Sequence, residues 1–126
     1  MAERYGYTVE VYEATQPDYQ KTAALFNRAF MVVALHGRSE ADIVYSEPGT
    51  ILIEGLCRPP DLSYRNLMQV LGNRYYGIYL ANKNCSELNA ADVTRPVRFY
   101  LDSIRRESAK FKNNTPPLPV HGSSPA

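Results

Sequence analysis

The stretch Asp42 to Cys57, "DIVYSEPGTILIEGLC", decides how this chain is read, because it holds two β-rich runs on either side of Glu47-Pro48-Gly49-Thr50. Proline presets φ at the second position of a turn and glycine accepts positive φ at the third. The pattern predicts a β-hairpin, and an antiparallel pair here sets the frame for everything on either side.

Upstream, "RYGYTVEVYEA" (Arg4 to Ala14) places Tyr5, Tyr7, Val9 and Val11 in alternation with Arg4, Thr8 and Glu10. That two-residue period predicts a half-buried first strand. Pro17 and Asp18 then open "PDYQKTAALFNRAFMVVALHG", where Tyr19, Ala23, Phe26, Phe30 and Val33 recur at helical steps and Gly37 supplies a stop. A single helix of about twenty residues is expected there.

Downstream, Asp61 is expected to cap a second helix, "LSYRNLMQVL", with Leu62, Leu67, Val70 and Leu71 on its apolar face and Gly72 at its end. "RYYGIYLAN" (Arg74 to Asn82) returns to strand chemistry, and Thr94 is a plausible N-cap for "RPVRFYLDSIRRESAKF", whose buried stripe is Val97, Leu101 and Ile104. The order predicts an α+β fold, a ferredoxin-like βαββαβ sandwich with an appended C-terminal helix. Residues 1–112 are expected to form a single domain. The remainder, 113–126, "NNTPPLPVHGSSPA", has almost nothing to bury and is expected to be a disordered or polyproline-like tail.

Composition narrows the function classes. With 126 residues, 44% hydrophobic and 21% charged, the chain suits one core. No run approaches the ~18 apolar residues of a membrane span. The start, "MAERYGYTVEV", lacks a secretory pattern, so an intracellular location is expected. Two cysteines, Cys57 and Cys85, are too few for a zinc site or a disulfide framework, and no metal or other cofactor is implied. Residues 1–63 carry 5 basic and 9 acidic side chains, against 9 and 4 in residues 64–126, so the molecule is electrically lopsided.

RNA-recognition modules share the expected strand order, but the run "TILIEGLC" has no aromatic. Metal-carrying relatives place paired cysteines after strand one, where this chain has "EATQPDYQ". No motif selects a family.

Three candidate sites remain. In "ANKNCSELNAAD" (Ala81 to Asp92), Cys85 needs a base to become a nucleophile, and the expected topology brings His36 to the same end of the sheet, with Asn84, Glu87 or Asp92 to orient it. The segment reads more simply as a connector. The same topology puts Cys57 at the opposite pole from Cys85, which argues against a disulfide. The second candidate is a sheet face left open by the first two helices, carrying Tyr12, Leu52, Leu56, Tyr75 and Tyr79, with Val9, Val11, Ile51, Ile53, Ile78 and Leu80 as core. Such a face is covered by the appended helix, by a second copy of the chain, or by single-stranded nucleic acid stacked on its tyrosines. The third is the basic helix, with Arg95, Arg98, Arg105 and Arg106 placed to meet phosphates. The run "PPLP" (Pro116 to Pro119) could dock an aromatic groove, but a flexible terminus accounts for it as well.

The expected function is that of a non-enzymatic intracellular binding module, an adaptor, assembly or regulatory protein, self-associating through its sheet face or binding another protein. Single-stranded nucleic-acid binding is the alternative, and a Cys-His hydrolase or transferase the third reading.

Overall fold

The turn at Glu47 to Thr50 forms as its residues dictate: Thr50 N–H donates to Glu47 O at 3.2 Å, and Gly49 takes a φ of 93°. What precedes it is no strand. In the computed structural model, which describes residues 2–12, 18–80 and 88–114 (side chains of 2–12, 18–37, 40–80 and 88–107), Arg38–Tyr45 is a 3-10 helix that buries Ile43 completely. The hairpin is therefore corrected to a crossover. A type of turn fixes only the local chain reversal, and the apolar side chains on its amino-terminal side found a helical packing face instead of a strand partner.

The long first helix is likewise divided. Helix α1 spans Tyr19–Arg28, with the Asp18 carboxylate accepting from Lys21 N–H at 3.1 Å. Ala29 is already extended, and Met31–Leu35 forms strand β1. Five consecutive apolar residues with two valines suit a strand covered on both faces, and periodicity alone does not separate that from a buried helix. Strand β2 is Ile51–Leu56, helix α2 is Ser63–Val70, strand β3 is Arg74–Tyr79, and helix α3 is Ala90–Asn114. The second helix and its following strand are where the sequence places them, but Met68 is the helix's buried residue while Val70 is 84% exposed, and the N-cap is Leu62, not Asp61. Helix α3 starts before Thr94, whose hydroxyl donates back to Ala90 O at 2.6 Å instead of capping, and it runs two residues past the expected boundary at 112.

The sheet has the order β1-β2-β3 and is parallel throughout, with Leu52 level with Val32 and Tyr75, and Glu54 level with Ala34 and Gly77. The fold is thus mixed helix and strand, as expected. The ferredoxin-like sandwich is not what the described residues form, because their three strands include no antiparallel pair.

Parallel strands need crossovers, and crossovers put helices against the sheet. On one face Phe26 of α1, Ile43 of the 3-10 helix and Met68 of α2 pack around Leu52. On the other, Val97 and Leu101 of α3 pack on Ile51 and Ile53, with Ile78 beside them. The expected open face is therefore interior: Leu52 is 0% exposed and Leu56 2%. None of the three covers considered closes the Leu52 face: α1, the 3-10 helix and α2 lie on it, and the appended helix lies on the opposite face, over Ile51 and Ile53. Burying a leucine of this kind is worth about 1.5–3 kcal/mol.

The expected first strand is not one. Ala2–Tyr5 is a 3-10 turn, and Val9 (64% exposed) and Val11 (85%) are not core. The alternating tyrosines have another use. Tyr7 stacks on Phe30 in the α3-side cluster while Tyr12 sets its ring edge against Phe26 on the other side, so the segment passes from one face of the sheet to the other.

All three strands end at one edge. His36 N–H donates to Gly55 O and Leu80 N–H to Leu56 O, extending the ladders to that edge. Cys57 also lies there, and it is disulfide-bonded. The expectation that its thiol stays unpaired is corrected: in a parallel sheet the chain leaves β2 and β3 at the same pole, not at opposite ones. Cys85, the other cysteine of the sequence, lies outside the described residues, as do most of the segment Ala81 to Asp92 and the proline-rich tail.

Candidate functional site

Polar side chains gather at the carboxyl edge of the sheet, on the α1/α2 side. Glu54 stands in the middle of β2 and is fully buried, a lone acid in the run Ile51–Leu56. Its strand neighbours are Ala34 and Gly77, so no bulky side chain flanks it. A Cβ at 77 would lie 2.9 Å from Leu56 Cδ1 and 3.2 Å from Tyr75 Oη, so a larger residue there would push these side chains aside. The space admits the Tyr75 ring, whose hydroxyl donates to Glu54 Oε1 at 2.5 Å.

The other carboxylate oxygen, Glu54 Oε2, lies 2.8 Å from His36 Nδ1. His36 leaves β1 at the edge, with a half-buried side chain. Its Nε2 is 3.5 Å from Asp61 Oδ2, and Asp61 Oδ1 accepts from Ser63 N–H at 2.9 Å at the start of α2. The Tyr64 ring meets the imidazole edge to face at 5.4 Å. One nitrogen is thus held from inside the protein and the other from the surface.

Glu40 completes the group from the first turn of the 3-10 helix, its N–H bonded to Gly37 O. The residue is 2% exposed, and its carboxyl is paired by a hydrogen bond with that of Glu54. Its Oε2 lies 4.0 Å from His36 Nδ1. Burial, and then Glu54 beside it, push the Glu40 carboxyl up to about 10, so it is neutral at physiological pH. Burial and the bond to Glu54 raise Tyr75, while burial followed by the charges of Glu40, Glu54, Asp61 and Asp42 raises Tyr64. The backbone N–H of Ser63 holds Asp61 below the usual carboxylate range. The pole is therefore acidic as well as aromatic.

Such a set can hold a cation between imidazole and carboxylates, or hold the imidazole in one tautomer for proton transfer. His36, Glu40 and Glu54 each offer a donor atom, and these atoms all lie within 4.8 Å of one another.

The residues singled out from the sequence fall into separate places. His36 and Tyr75 belong to this site. Tyr12 lies apart from them, its hydroxyl donating to Asp42 at 2.8 Å. Leu52 and Leu56 are core, and Tyr79 is 49% exposed under the Arg58 guanidinium. Arg95 and Arg98 line a shallow groove on the outer face of α3 with Phe99 and Asp102. Arg105 is occupied over the Tyr5 ring, at 4.3 Å, and Arg106 reaches Ser103. Glu40, Glu54 and Tyr64 were not singled out, and Asp61 only as a helix cap. A glutamate within an otherwise apolar strand was the one sequence signal for them.

Compared with protein-family models, with curated proteins and with solved structures, the chain matches none. No helix among the described residues is long and apolar enough to cross a membrane.

Proposed function

We propose that this chain is a binding module whose ligand is a cation, taken up in the acidic pocket at the carboxyl edge of its sheet. The observation that carries this reading is the convergence of His36, Glu40 and Glu54, whose donor atoms lie within 4.8 Å of one another with both carboxyls buried. Two carboxyls buried side by side cost the fold free energy because both cannot ionise together, and such a cost is retained where a ligand uses the groups. The carboxyl ends of parallel strands are also the usual place for ligands in sheets of this kind. Calorimetric titration of the chelator-treated chain with magnesium, zinc and spermidine tests it. At least one should bind in the wild type and fail in Glu54→Gln, and silence from all three would sink the reading.

Single-stranded nucleic-acid binding is favoured by a different observation. Arg74, Arg95 and Arg98 are exposed near Phe99, Tyr100 and Tyr76, whose rings contact one another in sequence at 5.4 and 6.3 Å. Exposed guanidinium groups among aromatic rings suit phosphates and stacked bases. Replacing these three arginines together should flatten the salt dependence of binding to an oligonucleotide, and an unchanged slope would reject the surface. Self-association remains a proposal without its sheet-face interface, since that face is interior. An intracellular home sits poorly with the disulfide at Cys57, because such bonds persist mainly in oxidising compartments.

A further inference from the structure

We propose that the cation is a divalent transition-metal ion, bound by His36 Nδ1 and by one oxygen each of Glu40 and Glu54. The inference rests on the pocket being a cation site and names the ion's chemistry.

Spacing supports it first. Ligand atoms about 2.0–2.2 Å from a common ion lie roughly 3–4 Å from one another. His36 Nδ1 is 2.8 Å from Glu54 Oε2 and 4.0 Å from Glu40 Oε2, so the three donors already span the volume of one ion. An ion there would take the place of the proton that Glu40 shares with Glu54 and of the hydrogen bond between His36 and Glu54.

The surroundings hold two of these donors in place. Tyr75 occupies Glu54 Oε1, which leaves Oε2 turned towards the imidazole. Asp61 lies on the far side of the same ring, 3.5 Å from Nε2, where a carboxylate accepts the remaining N–H of a metal-bound histidine. Asp61 is in turn fixed by the Ser63 N–H at the start of α2. A carboxylate, an imidazole and an ion in line is a recurrent arrangement, and here the fold builds it from three separate elements.

Donor type selects the ion. Calcium and magnesium take all-oxygen shells, whereas imidazole suits zinc, iron, nickel and copper. One nitrogen with two carboxylates points to zinc, cobalt, manganese or ferrous iron. Three protein ligands leave at least one position open. Access runs past His36 and Asp61, whose side chains are 29% and 64% exposed. Among the described residues no other group of three or more His, Cys, Asp or Glu side chains comes together in this way.

Cobalt(II) is the probe, since its visible d–d bands report ligand number and symmetry. The chelator-stripped full chain should bind one equivalent of cobalt, displaceable by zinc. Glu40→Gln keeps the side chain's size and should fold with an unchanged far-ultraviolet spectrum while binding cobalt at least 100-fold more weakly. Asp61→Asn, a positioning change, should weaken cobalt binding by about 10–100-fold and alter the bands. Equal cobalt affinity in wild type and Glu40→Gln would overturn the ligand set. If spermidine or magnesium binds and neither cobalt nor zinc does, the metal inference fails while the cation pocket stands. If nothing binds, both fail.

Discussion

Replacing Glu40 by glutamine should make the metal-free protein more stable, and increasingly so as pH rises. In the folded chain the Glu40 carboxyl titrates at about 10, against 4.5 for an unhindered glutamate. A group whose folded value is raised contributes fully below the unfolded value, and that contribution is lost as pH rises through the folded one. Between pH 4.5 and 10 the unfolded chain gives up a proton that the folded chain must keep. At 1.36 kcal/mol per pH unit, this lowers wild-type stability by at most about 4 kcal/mol between pH 5 and pH 8. Glutamine has the shape of the neutral acid and no proton to retain, so its curve should be nearly flat over that range from this site. The assay is urea unfolding of both proteins, followed by circular dichroism in the presence of chelator at pH 5, 6.5 and 8. The difference should grow by more than about 2 kcal/mol from the lowest to the highest pH. Parallel pH profiles for the two proteins would refute the account of Glu40 as a buried neutral carboxyl.

Two further perturbations test the packing behind the site. Gly77→Ala drives a Cβ against Leu56 and the Tyr75 hydroxyl. It should cost about 1–3 kcal/mol in thermal unfolding and weaken cobalt binding. Unaltered stability would mean that the strand neighbour of Glu54 is not crowded. Leu52→Glu puts a charge at a fully buried position with apolar side chains around it. It should destabilise by more than about 4 kcal/mol and abolish the folded circular-dichroism signal, whereas a well-folded monomeric variant would restore the open sheet face.

Local chemistry was legible wherever a few neighbouring residues determine it. The turn at Glu47 to Thr50 follows from proline beside glycine. Helix α2 ends as read, at Gly72, where φ reaches 73°, although Leu62 is its N-cap and Asp61 accepts the Ser63 N–H from one position earlier. Val97, Leu101 and Ile104 do face the core from α3. What sequence by itself did not determine was the partner of each apolar stretch. "MVVAL" satisfies a buried helix and a two-sided strand equally, and "DIVY" packs as a 3-10 helix although its residues favour strands. The alternation of Tyr5, Tyr7, Val9 and Val11 marks a segment that spends its tyrosines on two different faces. Only tertiary structure made the sheet parallel, and parallelism decided the rest. It brought the ends of three strands to one edge, set Glu54 between Ala34 and Gly77, and carried His36, Glu40 and Asp61 to it from positions up to 25 residues apart in the chain. Donor atoms of one site need to be close in space, and nothing in their spacing along the chain records which strand will lie beside which.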